Sequence, residues 1–324
     1  GALIAISLVA IFSFGLNAGI DFKGGTLLEF QFKEPTTREA LTDKLRELQP
    51  AVNKESETPV SESPDNLTAS KIPDVSLTPS DDAGNTVDFS TLNIIESGEN
   101  SLIVKTNYIN SATHDKLIVK MKEAFPEFKE LRFTSIGAVV GKNLLNKAMI
   151  AIVISLLMVV IYLSFAFRKI PKQISAWKFG ATAGIVAIVH DVIITTGLFA
   201  ILGHYMNIEI DALFITAMLT VFGYSINDTI VVFDRLREKL IHNPGASLTE
   251  TANEALNETA VRSFNTSFTT LLSLLAILFF GSSAIFYFVL ALTVGIAIGT
   301  YSSIFAATPM LVWWSKLTDK KNGK

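Results

Sequence analysis

Long apolar runs alternate with polar segments along the chain, and this alternation predicts its organisation. A helix needs about 20 predominantly apolar residues to cross a hydrocarbon layer about 30 Å thick. Runs that approach or exceed this length lie at 1–18, 144–167, 179–202, 210–233, 263–280 and 284–314. We therefore predict six membrane-spanning helices. The last run is long enough to tilt, to break near Pro309 or to continue along the membrane surface.

The segment 19–143, between the first two runs, is too polar to lie in lipid and long enough to fold by itself. Its patterns predict strands and helices in the order β-α-β-β-α-β, a split βαβ or ferredoxin-like arrangement. We place the strands at 26–32, within 90–108 on both sides of a turn at 97–100, and from 128 onwards. The two helices follow expected N-caps at Thr37 and Ser111.

Residues 49–90 interrupt this pattern with a stretch rich in Ser, Thr, Pro and Asp. Such a composition cannot bury enough apolar surface to offset the entropy lost on ordering. We predict that 49–90 is a flexible insert in the polar domain.

The composition supports a membrane protein and excludes several other classes. Of the residues, 49% are hydrophobic, and the mean hydropathy is +0.42. The net charge of −3 gives no support for a nucleic-acid partner, and without cysteine the chain has no disulfides, thiolate metal sites or cysteine nucleophiles. No His, Asp and Glu cluster has metal-ligand spacing and no phosphate-binding loop stands out, so we expect a protein without cofactor or metal and without enzymatic activity.

Lys and Arg in the connections predict the orientation in the membrane. The loop 168–178, the amphipathic connection 234–262 and the tail 315–324 are rich in these residues, whereas the loops near 203–208 and 281–284 have none. Positive residues favour the cytoplasmic side. We therefore expect both termini in the cytoplasm and 19–143 outside it. The segment 234–262 would lie on the membrane surface or pack on a neighbour.

A carboxylate inside the fourth run is the strongest candidate for function. Asp228, next to Asn227, has apolar residues on both sides. Placing a charged aspartate at the centre of a bilayer costs about 2.5–3.5 kcal/mol on insertion scales. It could lie close enough to the interface to be hydrated; the alternative is a proton carrier.

The fifth run begins with a cation and hydroxyl groups that could face this acid. Arg262 and Thr266 are one turn apart and share a helix face. Burial favours a neutral acid and a nearby guanidinium favours the carboxylate, so a movement of Arg262 would bind or release a proton. Arg262 could instead be a membrane anchor, and Ser267, Thr269 and Thr270 could be ordinary helix packing.

A second polar pair, His190 and Asp191, lies in the middle of the third run. Histidine titrates near neutral pH and can transfer protons. The alternative is a hydrogen bond that only packs this helix against a neighbouring one.

Several motifs together resemble the SecD/SecF family of protein-export membrane proteins. They are "GIDFKGGT" at 19–26, "SIGAVVGKNL" at 135–144, "HDVIITTG" at 190–197, "GYSINDTIVVFDRLRE" at 223–238 and "NETAVRSFNTSFTT" at 257–270. The resemblance covers almost the whole chain. The insert 49–90 is longer than the family pattern suggests.

This resemblance implies a subunit that works with SecD, in the resistance-nodulation-division superfamily. The pair would assist the SecYEG translocon and SecA, using the proton-motive force to move unfolded polypeptides across the bacterial or archaeal cytoplasmic membrane. Asp228 corresponds to the family's proton-carrying acid, and Arg262 and Thr266 to polar residues that face it, with Asn227 beside them. The alternatives are a proton-coupled small-solute or drug exporter and a non-conducting scaffold subunit.

Overall fold

A computed structural model describes residues 1–56, 87–89, 92–97, 100–167 and 182–321, with the backbone alone at 54–56 and 318–321. The chain divides into two compact units. One combines Gly1–Ala18 with Asn146–Lys324, and the other is Gly19–Leu145. The predicted basic loop 168–178, most of the predicted insert and the last residues of the tail lie outside the described residues.

Helices dominate the described chain. They are α1 (Ala2–Phe14), α2 (Ile20–Lys23), α3 (Arg38–Ser56), α4 (Ser111–Ala124), α5 (Ala138–Ala166), α6 (Ala187–Met206), α7 (Ala212–His242), α8 (Leu248–Phe280), α9 (Phe286–Ser302) and α10 (Thr308–Lys321). Short π-helical turns at Thr182–Val186 and Ser303–Ala307 lead into α6 and α10, and a 3₁₀ turn at Ser283–Ile285 precedes α9.

Five helical segments in the described residues are long and apolar enough to cross a membrane. They are Ala138–Ala166, Gly184–Met206, Ala212–His242, Leu248–Phe280 and Ser283–Leu317. The first predicted run gives a shorter helix, because α1 has only 13 residues and ends before Gly15, whose φ is 70°. At 1.5 Å per residue α1 is about 20 Å long, less than the thickness of a bilayer core.

Near Pro309 the last segment is helical and does not break. The π-helical turn Ser303–Ala307 comes immediately before α10, and Pro309 is the second residue of that helix. A proline is tolerated in a first helical turn, and a π turn absorbs the local change in hydrogen bonding. Of the outcomes predicted for the last run, a break near Pro309 is therefore wrong.

The predicted amphipathic connection 234–262 is mostly a continuation of α7 and α8. These helices meet at a short turn after His242, and Ser247 is the N-cap of α8, although its side chain makes no capping bond. Exposed ion pairs join the two extensions: Arg235 Nε lies 2.5 Å from Glu258, and Lys239 Nζ lies 3.0 Å from Glu254. Each such exposed pair contributes little to the stability of the fold, but together they hold the two helical extensions side by side.

The unit Gly19–Leu145 contains an antiparallel four-stranded sheet. Its strands are β1 (Gly25–Phe32), β2 (Asn93–Glu96), β3 (Ser101–Thr106) and β4 (Phe128–Ile136), in the spatial order β2-β3-β1-β4. Leu28 and Phe30 of β1 are fully buried, with Leu41 and Leu45 of α3 and Leu117 of α4 in the same core. The two helices therefore cover one face of the sheet.

The N-cap predicted for α3 is confirmed, and that for α4 is off by one residue. The Thr37 hydroxyl accepts a hydrogen bond from the amide of Ala40 at 3.3 Å. For α4 the cap is Asn110, whose side chain accepts from the amide of Thr113 at 2.8 Å. Asparagine caps a helix as well as serine, which explains why the helix can begin one residue earlier than predicted.

Helix α3 runs into the range predicted as a flexible insert, and the prediction is wrong for those residues. Asn53 exchanges two side-chain hydrogen bonds with the backbone of Val87, and Gln49 accepts one from the amide of Phe89. The side chains of Val87 and Phe89 are buried. These bonds and this burial offset the cost of keeping Pro50 inside the helix.

Two consecutive glycines, Gly24 and Gly25, start β1. Their φ angles are 80° and 141°. A Cβ on Gly24 would lie 2.7 Å from Cα of Ala138, and one on Gly25 would lie 2.9 Å from the carbonyl oxygen of Thr106. The chain can turn into the sheet here only because both side chains are absent.

Candidate functional site

Asp228 lies in the middle of α7 with 2% of its surface exposed. Its Oδ2 accepts a hydrogen bond of 2.9 Å from the hydroxyl of Ser267 on α8. The hydroxyl of Thr300 on α9 lies 2.7 Å from that of Ser267. Three apolar helices thus meet at a buried carboxyl group and two hydroxyls.

No ion pair involves Asp228 among the residues that the structure describes, and Ser267 supplies its hydrogen bond. One hydrogen bond from a neutral hydroxyl offsets only a small part of the free energy that is needed to remove a charged carboxylate from water. A carboxyl group in such surroundings can hold a proton and exist as the neutral acid.

The expected contact between Asp228 and Arg262 is absent. Arg262 is exposed and borders a surface cleft between α7 and α8 that also contains Arg235 and Glu258. Helical geometry explains the difference, because successive side chains project about 100° apart. Ser263 and Ser267 share the inward face of α8, so Arg262 points elsewhere.

Thr266 and Asn227 also lie away from Asp228. Both are exposed, and the Thr266 hydroxyl donates to the carbonyl of Arg262 in its own helix at 2.9 Å. The hydroxyl of Tyr224 lies 2.9 Å from the Thr266 carbonyl, linking α7 to α8. Of the four residues predicted for the relay, only Asp228 occupies the buried site.

The sequence did contain a signal for the residues that surround Asp228. The buried residues of α8 are small, and from Ala252 onwards they recur every three or four positions: Thr251, Ala252, Ala255, Thr259, Ser263 and Ser267. Small residues at this spacing are typical of close helix packing in membranes. This stripe identifies Ser267 as inward-facing, whereas nothing comparable singles out Thr300.

The second polar pair forms its own buried site. Asp191 is 1% exposed; its Oδ1 lies 3.0 Å from Nδ1 of His190, and its Oδ2 accepts a 2.5 Å hydrogen bond from the hydroxyl of Ser225 on α7. The side chain of His190 is 10% exposed. The pair therefore bonds to another helix through Ser225.

Comparison with known families identifies the chain. The profile described as "Protein export membrane protein SecD/SecF, C-terminal" matches residues 116–317, and the profile "SecD/SecF GG Motif" matches residues 9–36. The chain belongs to the SecD/SecF family. The resemblance inferred from the sequence motifs is confirmed, and Gly24 and Gly25 fall within the matched GG motif.

Curated SecD/SecF relatives match over nearly their full length. The protein translocase subunit SecF of Thermobaculum terrenum is 38% identical over 312 residues, covering 96% of this chain and 89% of the relative. The protein translocase subunit SecF of Sebaldella termitidis is 31% identical, covering 99% of this chain and 91% of the relative.

Two solved SecDF structures share the fold. The crystal structure of SecDF from Thermus thermophilus, described as a translocon-associated membrane protein, matches with a TM-score of 0.73 and 28% identity over 97% of this chain. A super-membrane-facing form of SecDF matches with a TM-score of 0.61 and 27% identity over 99% of this chain. The chain spans 37% and 38% of those two longer chains.

Removing the Ser267 hydroxyl tests its bond to Asp228 in this SecD/SecF family member. If Asp228 carries protons in a complex with SecD, as we propose below, Ser267→Ala is expected to lower proton flux about tenfold without abolishing it. A hydrogen bond to a charged group contributes about 1.5–3 kcal/mol, and 1.4 kcal/mol is a factor of ten. Proton flux into vesicles that contain the complex measures the effect.

Ser273→Ala is the matched control, since Ser273 is exposed on the same helix and its hydroxyl donates to the Thr269 carbonyl. Equal flux in the two variants would contradict a role for Ser267.

Proposed function

We propose that this chain is a membrane subunit of the Sec export machinery that acts with SecD. Full-length similarity to proteins named protein translocase subunit SecF supports this most strongly. The similarity to SecDF chains, in which the matching part is about a third of the whole, supports SecD as the partner. The SecYEG translocon, SecA and an unfolded exported polypeptide are the further proposed partners. The role is transport and not enzymatic catalysis.

The proposed membrane arrangement has six spans, with α1 as the first. Lys and Arg in the predicted cytoplasmic connections support cytoplasmic termini and an extracytoplasmic α+β domain at 19–143. The membrane is the cytoplasmic membrane of a bacterium or archaeon. This topology gives the domain access to a polypeptide that emerges from the translocon.

Asp228 is the proposed proton carrier. Its burial and its bond to a neutral hydroxyl support a group that alternates between acid and carboxylate. Ser263, one turn before Ser267, has a buried hydroxyl without a hydrogen-bond partner in the described protein, so it can join a water chain that leads protons to Ser267 and Asp228.

Protonation would act on the contacts between helices. The charged carboxylate accepts a strong hydrogen bond from the hydroxyl of Ser267, whereas the same bond to the neutral acid is weaker. Each charge moved across 100 mV supplies about 2.3 kcal/mol, enough to bias a small shift of α7 against α8 and α9. The polar unit would respond because the chain enters and leaves it directly from α1 and α5.

Arg262 and Thr266 lie one turn apart on an exposed face of α8, and Asn227 is exposed on α7; both helices are apolar enough to span the membrane. Lipid tails cover such groups poorly, and polar residues in membranes usually pack against another helix. We propose that SecD covers this face and supplies a carboxylate for Arg262. The guanidinium then acts between subunits and not within this chain.

Replacing Arg262 tests this interface. We expect Arg262→Gln to reduce recovery of SecD with this chain at least tenfold, because leaving a buried partner charge unpaired costs about 2–5 kcal/mol. The melting temperature of the isolated chain stays unchanged, since Arg262 is exposed. Affinity purification with quantitative detection of SecD measures the recovery.

Lys147→Gln is the control, because Lys147 is an exposed cation in another apolar helix, α5. Undiminished SecD recovery with Arg262→Gln would rule out this interface.

Restoring export in cells depleted of the native SecF subunit tests the function as a whole. We expect the chain to co-purify with SecD and to accelerate the release of a secretory precursor only while the proton gradient is present. A chain that co-purifies but leaves export unchanged would contradict the proposal. Gradient-dependent uptake of a small dye would instead support the exporter alternative.

A further inference from the structure

A second buried carboxyl site lies beside the first and plays no part in the proposed proton carrier. Asp191 on α6 accepts a hydrogen bond of 2.5 Å from Ser225, and its other oxygen lies 3.0 Å from His190. A Cβ on Gly299 of α9 would be 3.4 Å from the same carboxyl group. Three helices therefore meet at Asp191, as three meet at Asp228.

The two sites lie at similar depth and share two helices. Asp191 precedes the end of α6 at Met206 by 15 residues, and Asp228 follows the start of α7 at Ala212 by 16. At 1.5 Å per residue both are about 23 Å from the same short connection. Ser225 and Asp228 are three residues apart on α7, and Gly299 and Thr300 are adjacent on α9.

We propose that Asp191, His190 and Ser225 form a second proton-binding site, coupled to Asp228 through α7 and α9. The proposal rests on the proton-coupled function proposed above. It gives this chain two proton-binding carboxyl groups within the membrane.

The bonds at Asp191 allow a proton to occupy either partner. The carboxylate can accept an N–H bond from Nδ1 of His190, or the neutral acid can donate its proton to an unprotonated Nδ1. Ser225 donates to the remaining oxygen in the observed geometry. The histidine side chain is 10% exposed while the acid is 1% exposed, so His190 is the more accessible end from which a proton arrives.

Few titratable groups surround this pair. The ring of Tyr301 on α9 stacks on that of His190 at 6.3 Å, and α1, which packs on α6, has no ionisable side chain. On α7 the titratable neighbours of Ser225 are Tyr224 and Asp228. Within the described residues, no Lys or Arg pairs with Asp191. His190 is therefore the titratable side chain that the described structure places against Asp191.

Close packing provides the coupling. A Cβ on Gly299 would lie 2.9 Å from Cβ of Ser225, and one on Gly295 would lie 2.4 Å from a methyl of Val221. The backbone of α9 at these two glycines thus packs directly against the side chains of Val221 and Ser225 on α7, and packed interiors transmit small shifts. A movement of α7 that changes the Ser267 bond to Asp228 also moves Ser225 relative to Asp191.

Infrared titration of the SecD complex in lipid nanodiscs tests the proposal. Subtracting the pH difference spectrum of Asp191→Asn from that of the wild type reveals the carboxyl band that this substitution removes, beside any shift that it causes in the Asp228 band. We expect one protonated-carboxyl band that grows as the pH falls. Its midpoint shifts by about one pH unit, a tenfold change in proton affinity, in Ser225→Ala and in His190→Gln. A spectrum without this band at every pH at which the complex is folded overturns the proposal.

Thr293→Val is the matched control, because the hydroxyl of Thr293 bonds to the Val289 carbonyl of its own helix, α9, at 2.7 Å. It leaves the band unchanged. If Asp191→Asn does not assemble, Ser225→Ala must still shift one carboxyl band relative to this control. The absence of such a shift would overturn the proposal.

The same spectra in Asp228→Asn separate this inference from the proposed function. The Asp191 band remains there with a changed midpoint, and an unchanged midpoint would refute the coupling. Normal proton flux in Asp228→Asn with an intact Asp191 band would refute only the proposed carrier.

Discussion

We expect Asp228→Asn to lower proton flux through the proposed complex with SecD by about a hundredfold or more and to remove the gradient-dependent part of export. Asparagine has nearly the same shape, and its carbonyl oxygen can still accept the bond from Ser267, but it cannot bind and release a proton. Positioned proton-transfer groups typically contribute about 10²–10⁴-fold to a rate. Assembly with SecD is unaffected, because Asp228 is buried within this chain.

Flux into vesicles that contain the purified complex, measured with a pH-sensitive dye, tests this expectation. Asp234→Asn is the matched control, since Asp234 lies on the same helix with its side chain 64% exposed. Its flux equals that of the wild type. Normal flux in Asp228→Asn would instead favour the non-conducting scaffold, in which the buried acid only packs helices.

Gly24→Ala disrupts the entry into the sheet of the polar unit. At a φ of 80° the new Cβ would lie 2.7 Å from Cα of Ala138 and 2.8 Å from its amide nitrogen. Both atoms belong to backbone, so neither can turn aside as a side chain would. With a ψ of 162° as well, the backbone lies in a region that is essentially restricted to glycine, and holding another residue there costs about 1–3 kcal/mol. We expect a total loss of about 3 kcal/mol or more once the clash is included.

Hydrogen exchange of the intact chain measures this loss locally. Peptides that cover 20–32 and 128–141 exchange faster in Gly24→Ala. Gly137→Ala is the control, because Gly137 lies in the same region and a Cβ there would contact nothing within 4 Å. Its effect stays within about 0.5 kcal/mol. Equal protection in the two variants would show that the tight approach at Gly24 is unimportant.

The buried acid was predictable, but its partner was not. Apolar residues on both sides of Asp228 placed it within a membrane helix, and the cost of an exposed charge there required it to face protein. The prediction that Arg262 and Thr266 face Asp228 rested on the opposite charge of Arg262 and on the helix face that the two residues share. The structure turns the neighbouring face of α8 inward, so Ser267 reaches Asp228 and Arg262 remains exposed.

The boundaries of the helices, too, were predictable only in part from the sequence. The apolar runs identified the helices, yet α7 and α8 extend far beyond them, since ion pairs such as Arg235 with Glu258 join their polar ends. Composition suggested a flexible chain from residue 49, but α3 continues to Ser56 because Asn53 and Gln49 bond to residues near Val87. Such contacts join distant positions and leave no local pattern.

The sequence by itself determined the long apolar helices, the order of strands and helices between the first two runs, the family and the presence of a buried acid. Each follows from local periodicity, from the motifs or from the cost of a charge in lipid. Only the tertiary structure decided that Ser267 and Thr300 surround Asp228 and that Ser225 bonds to Asp191. A helix pattern fixes which side chains share a face, whereas the packing of the other helices fixes what that face meets.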